Sequence, residues 1–283
     1  MTFRPPIAWD LLLSFLAARA ARGVEHIDNG AYARTVRING HTGVLRATLL
    51  DATGLVGLDV SPSLAKVLPA VVARVRHLLD LDANTDEIEA HLANAKIRLV
   101  TDRTRGLRVP GAFDGFELAL RAVLGQQVTV KGASTLMARL VIAFGEETRT
   151  GQTGLTHLTP TPQRIAAASV PEIRTIGLPM ARAATLLALA GAVASGALVI
   201  DATSDVPELT RKLRALPGIG PWTAEYIVMR AAHWPDAFPV GDVALRRAAG
   251  NVSAGELLRI ADEWHPWRAY AAMHLWSNSG HGG

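Results

Sequence analysis

The chain has 283 residues, of which 49% are hydrophobic and 19% are charged, with a net charge of +4 and no cysteine. This length allows two or three small domains with cores of their own, and this composition excludes a disordered chain. The absence of cysteine excludes disulfides, thiolate zinc sites and iron–sulfur clusters within the chain.

The first 92 residues predict a small sheet domain with helices on one side. Residues 9–22 predict a helix, because Leu and Phe recur at helical spacing and Gly23 follows as a stop. Strand patterns occupy residues 31–38, 43–50 and 55–60. Asn39-Gly40 is typical of a tight hairpin turn between the first two strands. Helical patterns follow at 62–80 and 85–93.

After about residue 90 no strand pattern remains, and the rest of the chain predicts helices. Asp114 and Glu117, and again Ser253 and Glu256, have the spacing of a capping box, which marks a helix start. Helical patterns occupy 115–124, 130–144, 162–168, 171–176, 180–195, 207–215 and 222–232. The fold class predicted is therefore α+β, with a small antiparallel sheet domain first and a helical body after it.

Two of these helices flank a glycine turn, Leu216-Pro-Gly218-Ile-Gly220-Pro-Trp222. On spacing alone a plain helical hairpin explains this turn as well as a DNA-binding one does. In the second interpretation the glycines let a phosphate approach the main chain, where amides at the next helix N-terminus bind it. Such a turn lies at the surface, so Gly218→Glu is expected to weaken DNA binding and leave the fold mostly intact.

About twenty residues later the chain reads Phe238-Pro-Val-Gly-Asp242. Asp242 is well placed to be the N-cap of a helix that begins at Val243. Together with the hairpin, however, this segment resembles the helix-hairpin-helix-GPD superfamily of DNA glycosylases, in which an aspartate here lies at the mouth of the base pocket. The two interpretations are compatible, because a cap holds a carboxylate rigidly.

The resemblance extends over nearly the whole chain, and the chain resembles the 3-methyladenine DNA glycosylase II family. The segments that carry it are PPIAWDLLLSFLAARA near the N-terminus, GLRVPG at 106–111, FELALRAVLGQQV at 116–128, TPTPQRIAAA at 159–168, the hairpin, and EWHPWRAYAAMHLW at 263–276. The resemblance implies an N-terminal sheet domain, 1–92, and two mostly helical subdomains with a cleft between them. One subdomain is 112–231, with the hairpin, and the other is 93–111 with 232–283, which carries Asp242.

The activity implied is excision of alkylated bases, such as 3-methyladenine and 7-methylguanine, after the base is flipped out of the duplex. The resemblance places Trp222, Tyr226 and Trp276 around the flipped base, and aromatic faces attract a cationic base. Asp242 is then the catalytic carboxylate, which stabilises positive charge on the sugar or orients water. The alternative is a non-catalytic helix-hairpin-helix DNA-binding module, which needs the glycines but not Asp242 and the aromatics together.

Trp222 also predicts the type of reaction. In related bifunctional glycosylases, and in 8-oxoguanine glycosylases, a lysine stands at this position and attacks the sugar as an amine. Here no lysine lies within nine residues of Trp222. We therefore expect simple hydrolysis without a lyase step on the abasic site.

The resemblance also implies the DNA contacts. Gln127 occupies the position of the wedge that fills the gap left by the flipped base, where some relatives have an aliphatic residue. Gly218, Gly220 and Thr223 are expected to bind the DNA backbone at the hairpin. Val243 stands where some relatives have an aromatic residue, which affects the expected range of substrates and not the chemistry.

No cofactor is expected to be required, but hairpins of this superfamily often hold a monovalent or divalent ion. The main-chain carbonyls of Arg214, Leu216 and Ile219 would do so here. The expected partner is double-stranded DNA containing alkylated bases. We also expect a monomer without membrane association, located in the bacterial cytoplasm at the nucleoid, and possible fusion to or joint coding with alkyltransferase or regulatory modules.

Overall fold

The computed structural model describes residues 1–51, 53–95 and 99–278 of the chain. Helix α1 (Trp9–Arg19) precedes an antiparallel sheet of four strands in sequential order: β1 (Glu25–Asp28), β2 (Ala31–Ile38), β3 (His41–Asp51) and β4 (Leu55–Val60). The turn between β2 and β3 has φ of 50° at Asn39 and 80° at Gly40, as the hairpin prediction requires. Strand β1 was not predicted, because its four residues are half-buried and show no alternation of apolar and polar side chains.

The helix predicted over 62–80 is in fact two segments. A 3₁₀ turn, Pro62–Val67, is followed by α2 (Leu68–Leu78), and α3 (Thr85–Leu92) comes next. Pro69 lies in the first turn of α2, where its missing amide costs nothing. Inside one continuous helix the same residue would remove a hydrogen bond, so proline separates the two segments.

The remainder of the chain is mainly helical, as predicted. The helices are α4 (Gly115–Leu124), α5 (Val130–Phe144), α6 (Pro162–Ala166), α7 (Val170–Arg174), α8 (Met180–Ala194), α9 (Val206–Ala215), α10 (Pro221–Ala231), α11 (Val243–Ala248), α12 (Ala254–Ala261) and α13 (Arg268–Asn278). Asp114 caps α4 by accepting from the amide of Glu117 at 2.9 Å, and Ser253 caps α12 by accepting from that of Glu256 at 3.2 Å. None of the helices in the described ranges is long and apolar enough to span a membrane.

One short hairpin contradicts the prediction that strands end near residue 90. Strands β5 (Glu146–Glu147) and β6 (His157–Leu158) pair antiparallel, and two residues are too few to show alternation in the sequence. The Thr35 hydroxyl donates to the His157 carbonyl at 2.7 Å, which ties this hairpin to β2. A small buried cluster at this contact consists of Ala33, Val44 and Leu155. The hairpin therefore covers part of the sheet.

A buried group of charges joins the sheet to α4, and we call its four charged residues the ion cluster: Glu25, Arg34, Glu117 and Arg121. The carboxylate of Glu117 lies 2.6 Å from Arg34 and 2.8 Å from Arg121, which also pairs with Glu25. Arg34 and Glu117 are only 3% and 4% exposed. Burial alone would raise the pKa of Glu117, but Arg34 and Arg121 outweigh it and lower that pKa to about 2. Glu117 is therefore held in its charged form.

Candidate active site

The glycine turn joins α9 to α10 as predicted. Gly218 has φ of 80°, in the region that favours glycine, and Gly220 is the N-cap of α10. Both glycines are exposed. The first turn of α10 has backbone amides without partners in the helix, which is the arrangement that binds anions.

The two glycines differ in the space around them. A Cβ at Gly218 would lie 2.1 Å from the Thr185 hydroxyl of α8, whereas nothing lies within 4 Å of a Cβ at Gly220. The prediction that Gly218→Glu leaves the fold intact is therefore wrong, because the new side chain would collide with Thr185. The turn is exposed on one side, but helix α8 supports it closely on the other. Gly220 is the position at which a side chain tests DNA contact without strain.

Asp242 is the N-cap of α11 and also contacts two tryptophans. Its Oδ1 accepts from the amide of Leu245 at 3.0 Å, so the capping interpretation holds. The indole of Trp222 donates to Oδ2 at 3.2 Å, and that of Trp276 donates to Oδ1 at 3.3 Å. Trp222 lies 20 positions before Asp242 and Trp276 lies 34 positions after it, and the fold brings both indoles to this carboxylate. All three donors are neutral.

Tyr226 extends this aromatic group along α10. Its ring stacks on that of Trp222, with centroids 5.5 Å apart and planes at 12°. The two residues are one helical turn apart, so the helix itself sets this stack. The predicted pocket residues therefore form one continuous group beside Asp242.

Two arginines that the sequence did not single out lie at the Tyr226 hydroxyl. Arg230 donates to this oxygen at 2.8 Å and is anchored by the Pro110 carbonyl at 2.7 Å. Burial raises the pKa of Tyr226, but the charges of Arg230 and Arg19 outweigh it, so that the pKa is lowered. Arg230 follows Tyr226 by four residues on α10, a spacing that could have indicated contact. Arg19, at the end of α1, gave no such signal.

The predicted wedge lies in the loop after α4, which we call the wedge loop, residues 125–129. Gln127 is exposed and has φ of 57°, which is uncommon for a residue other than glycine. The neighbouring Gln126 donates from Nε2 to the Gly218 carbonyl at 2.9 Å and to the Thr223 hydroxyl at 3.0 Å. Thr223 is 3% exposed, and its hydroxyl accepts from Gln126. The expected contact of Thr223 with the DNA backbone stays a prediction.

The ion predicted at the hairpin would have only main-chain oxygens as ligands. Within the described residues no three His, Cys, Asp or Glu side chains are grouped as metal ligands. Of the three carbonyls proposed, at Arg214, Leu216 and Ile219, that of Leu216 accepts from the Ile219 amide at 3.2 Å. Neutral carbonyls suit hard cations, and without a carboxylate they fit a weakly held one. This ion stays a prediction.

Family models match both parts of the chain. The model described as the AlkA N-terminal domain matches residues 1–114, and that of the HhH-GPD superfamily of base excision DNA repair proteins matches 120–256, which include the hairpin and Asp242. The chain belongs to the AlkA family of the HhH-GPD superfamily. The resemblance to 3-methyladenine DNA glycosylase II and the predicted α+β fold are confirmed.

Individual relatives agree with this assignment. DNA-3-methyladenine glycosylase 2 of Escherichia coli is 34% identical over 280 residues, covering 99% of this chain and 97% of its own length. A Mycobacterium tuberculosis protein, named a probable bifunctional transcriptional activator/DNA repair enzyme AlkA, is 38% identical over 98% of this chain. The chain spans only 56% of that relative. The solved 3-methyladenine DNA-glycosylase from Archaeoglobus fulgidus has the same fold, with a TM-score of 0.86 at 22% identity over 99% of this chain and 97% of its own.

Proposed function

We propose that the protein is a monofunctional DNA glycosylase that hydrolyses the N-glycosidic bond of alkylated bases in double-stranded DNA, as a step of base excision repair. The observation that carries this proposal is the Asp242 carboxylate, which accepts from the indoles of Trp222 and Trp276. It lies in the superfamily match together with the hairpin. A DNA-binding module has no need for a carboxylate held by two aromatic side chains.

The aromatic group suits a cationic base. Purines methylated at N3 or N7 carry a positive charge, and each well-placed aromatic face attracts such a cation by about 0.5–2 kcal/mol. Trp222 and Tyr226 are stacked on each other, and the Arg230 guanidinium already lies 5.6 Å from the centre of the Tyr226 ring. A flipped cationic base would therefore be attracted chiefly by the tryptophans. Since this attraction depends on charge more than on shape, we propose 3-methyladenine and 7-methylguanine as the substrate type.

Asp242 acts on the sugar. When the bond between C1′ and the base nitrogen breaks, its electron pair leaves with the base, which becomes neutral, and positive charge develops on the sugar. The Asp242 carboxylate stabilises this charge and orients the water that adds to C1′, whose proton passes to the carboxylate or to solvent. Because the alkylated base is already a good leaving group, no strong general acid is required.

A lyase step is not part of the proposal. Trp222 occupies the hairpin position at which a nucleophilic amine would stand, and Lys212, ten residues earlier, lies 3.6 Å from Glu208. The protein should therefore leave intact abasic sites, which break only when alkali is added. Borohydride trapping of a covalent complex between protein and DNA would contradict this part.

Incubation with duplex DNA treated with a methylating agent, followed by chromatography of the released bases, tests the activity. We expect free 3-methyladenine and 7-methylguanine, and we expect the same release in the presence of a chelator, since the reaction needs no cofactor. DNA binding without release of any base would instead favour the non-catalytic module. The proposals that the protein is a monomer and that it is encoded or fused with other alkylation-response modules are separate, and size-exclusion chromatography tests the first.

A further inference from the structure

One side chain connects the wedge loop to the hairpin. Gln126 and Gly218 are 92 residues apart, yet the Gln126 amide donates to the Gly218 carbonyl at 2.9 Å and to the Thr223 hydroxyl at 3.0 Å. A carboxamide NH₂ has two hydrogens, and these two bonds use both of them. The Gln126 side chain is therefore fixed by the hairpin and not by its own loop.

The wedge follows directly in the chain. Gln127 is exposed, and its own φ of 57° is an uncommon conformation, so the direction of its side chain depends on how the wedge loop is held. The loop is bounded on one side by the end of α4, where the Gly125 amide donates to the Arg121 carbonyl at 2.9 Å. On the other side Thr129 caps α5. Gln126 is the residue of this loop whose side chain reaches the hairpin.

On the hairpin side the two acceptors are themselves held in place. Gly218 is backed by Thr185, with no room for a side chain between them. Thr223 is buried in the first turn of α10, next to Trp222, whose indole donates to Asp242. Gln126 thus hydrogen-bonds the wedge loop to the hairpin and the start of α10. This part of the chain provides the phosphate-binding amides and also Trp222 of the base pocket.

We propose that Gln126 is a positioning residue that sets the wedge relative to the hairpin, so that both engage one duplex in register. This inference rests on the proposed function, since it concerns how the same protein opens DNA. The hairpin amides bind phosphate whatever the base sequence or damage. Extrusion of a nucleotide has in addition the free-energy cost of unstacking its base, and we infer that a side chain held at a set distance from that phosphate offsets this cost by filling the gap.

Gln126→Leu tests this role, because leucine has a similar size and cannot donate. The probes are an unmodified duplex and a duplex with a central tetrahydrofuran abasic analogue beside a 2-aminopurine, whose fluorescence rises when it is unstacked. We expect affinity for the unmodified duplex to stay within about twofold, and the preference for the abasic duplex to fall about tenfold. The rise in 2-aminopurine fluorescence that we expect when the parent protein binds the abasic duplex should be lost as well. Gln163→Leu, the same change at an exposed position of α6, should alter neither.

Thr223→Val provides a second variant, because it removes one of the two acceptors and keeps the shape of the side chain. If the bond acts as proposed, the losses of preference in Gln126→Leu and Thr223→Val should be less than additive in the double variant. Unchanged preference in Gln126→Leu would overturn the proposal. So would an equal loss of affinity for both duplexes together with a lower melting temperature, since that is the signature of a purely structural bond. These readouts need no base release, so a failure of the proposed activity would appear separately, with methylated DNA.

Discussion

Two carboxylates of this protein lie in opposite electrostatic surroundings. Glu117 in the ion cluster is 4% exposed and pairs with Arg34 and Arg121. Asp242 is half-buried, and its hydrogen bonds come from a backbone amide and two indoles. Among the described residues no cation forms an ion pair with Asp242, although the charge of Arg19, beside Tyr226, interacts with it.

The difference separates a carboxylate that holds the fold from one that is available for chemistry. The charge of Glu117 is compensated by its neighbours, so that it stabilises the contact between sheet and α4 and has little attraction left for a ligand. Neutral donors orient Asp242, and the charge of Arg19 acts on it without forming an ion pair, so the charge of Asp242 is compensated less than that of Glu117. Positive charge that develops on a nearby sugar can therefore be stabilised by it.

The largest effect is expected for Glu117→Gln. Loss of the carboxylate leaves Arg34 buried without its partner, and the free energy of unfolding should fall by about 3–5 kcal/mol. Urea unfolding measures this, with Glu147→Gln, at an exposed strand residue, as the matched control. Base release by the folded variant should stay close to that of the parent. An unchanged urea midpoint would mean that the ion cluster does not hold the sheet to α4.

Trp222→Phe tests whether a neutral donor orients the Asp242 carboxylate. Phenylalanine keeps an aromatic ring to stack on Tyr226 but cannot donate to Oδ2. Since hydrogen bonds to a charged group contribute about 1.5–3 kcal/mol, single-turnover base release should fall by roughly ten- to a hundredfold. Trp234→Phe, at an exposed tryptophan, is the control. A rate equal to that of the parent would show that this indole does not orient the carboxylate.

A carboxylate added at the hairpin tests a third environment, in which a negatively charged side chain would lie beside a DNA phosphate and repel it. Gly220→Glu has open space for the side chain, and DNA affinity should fall about tenfold, or 1.4 kcal/mol, with a normal circular dichroism spectrum. Gly255→Glu adds the same charge on α12, also in open space, and serves as control. Equal affinities of the two variants would argue against DNA contact at the hairpin.

The pH dependence of stability gives the smallest expected effect. The pKa of Glu117 is lowered to about 2 in the folded protein from 4.5, so its contribution is present above about pH 4.5 and is lost as the pH falls towards 2. At pH 3.5 the stability difference between the parent and Glu117→Gln should be smaller than at pH 7 by about 1 kcal/mol. Urea titrations at both values measure it, and a constant difference would contradict the charged state of Glu117.

The sequence predicts much of the fold where the signal is local. Strands β2 and β4, helix α5 and the caps at Asp114 and Ser253 are found where alternation, helical spacing or capping boxes place them. The short strands β1, β5 and β6 were missed, because two to four residues carry no period. Their pairing depends on contacts with distant segments.

The candidate site divides in the same way. The hairpin and Asp242 follow from a motif within 27 residues of one chain segment, Leu216 to Asp242, and Trp276 followed from the family resemblance. Gln126, Arg19 and Arg230 were not identified as part of the site. The contact of Gln126 with Gly218 spans 92 residues. The sequence around a polar loop residue does not indicate which distant residue it will contact. Only the folded arrangement shows it.

Asp242→Asn is the measurement that tests the central claim most directly. Asparagine is as good an N-cap as aspartate, so that α11 keeps its cap through Oδ1, while the charge is removed and the Trp222 indole loses its acceptor Oδ2. Single-turnover release of 3-methyladenine should fall at least about a hundredfold, or roughly 2.7 kcal/mol, with DNA affinity and melting temperature close to those of the parent. Base release within a few-fold of the parent would contradict the assignment of Asp242 as the carboxylate that stabilises the sugar cation.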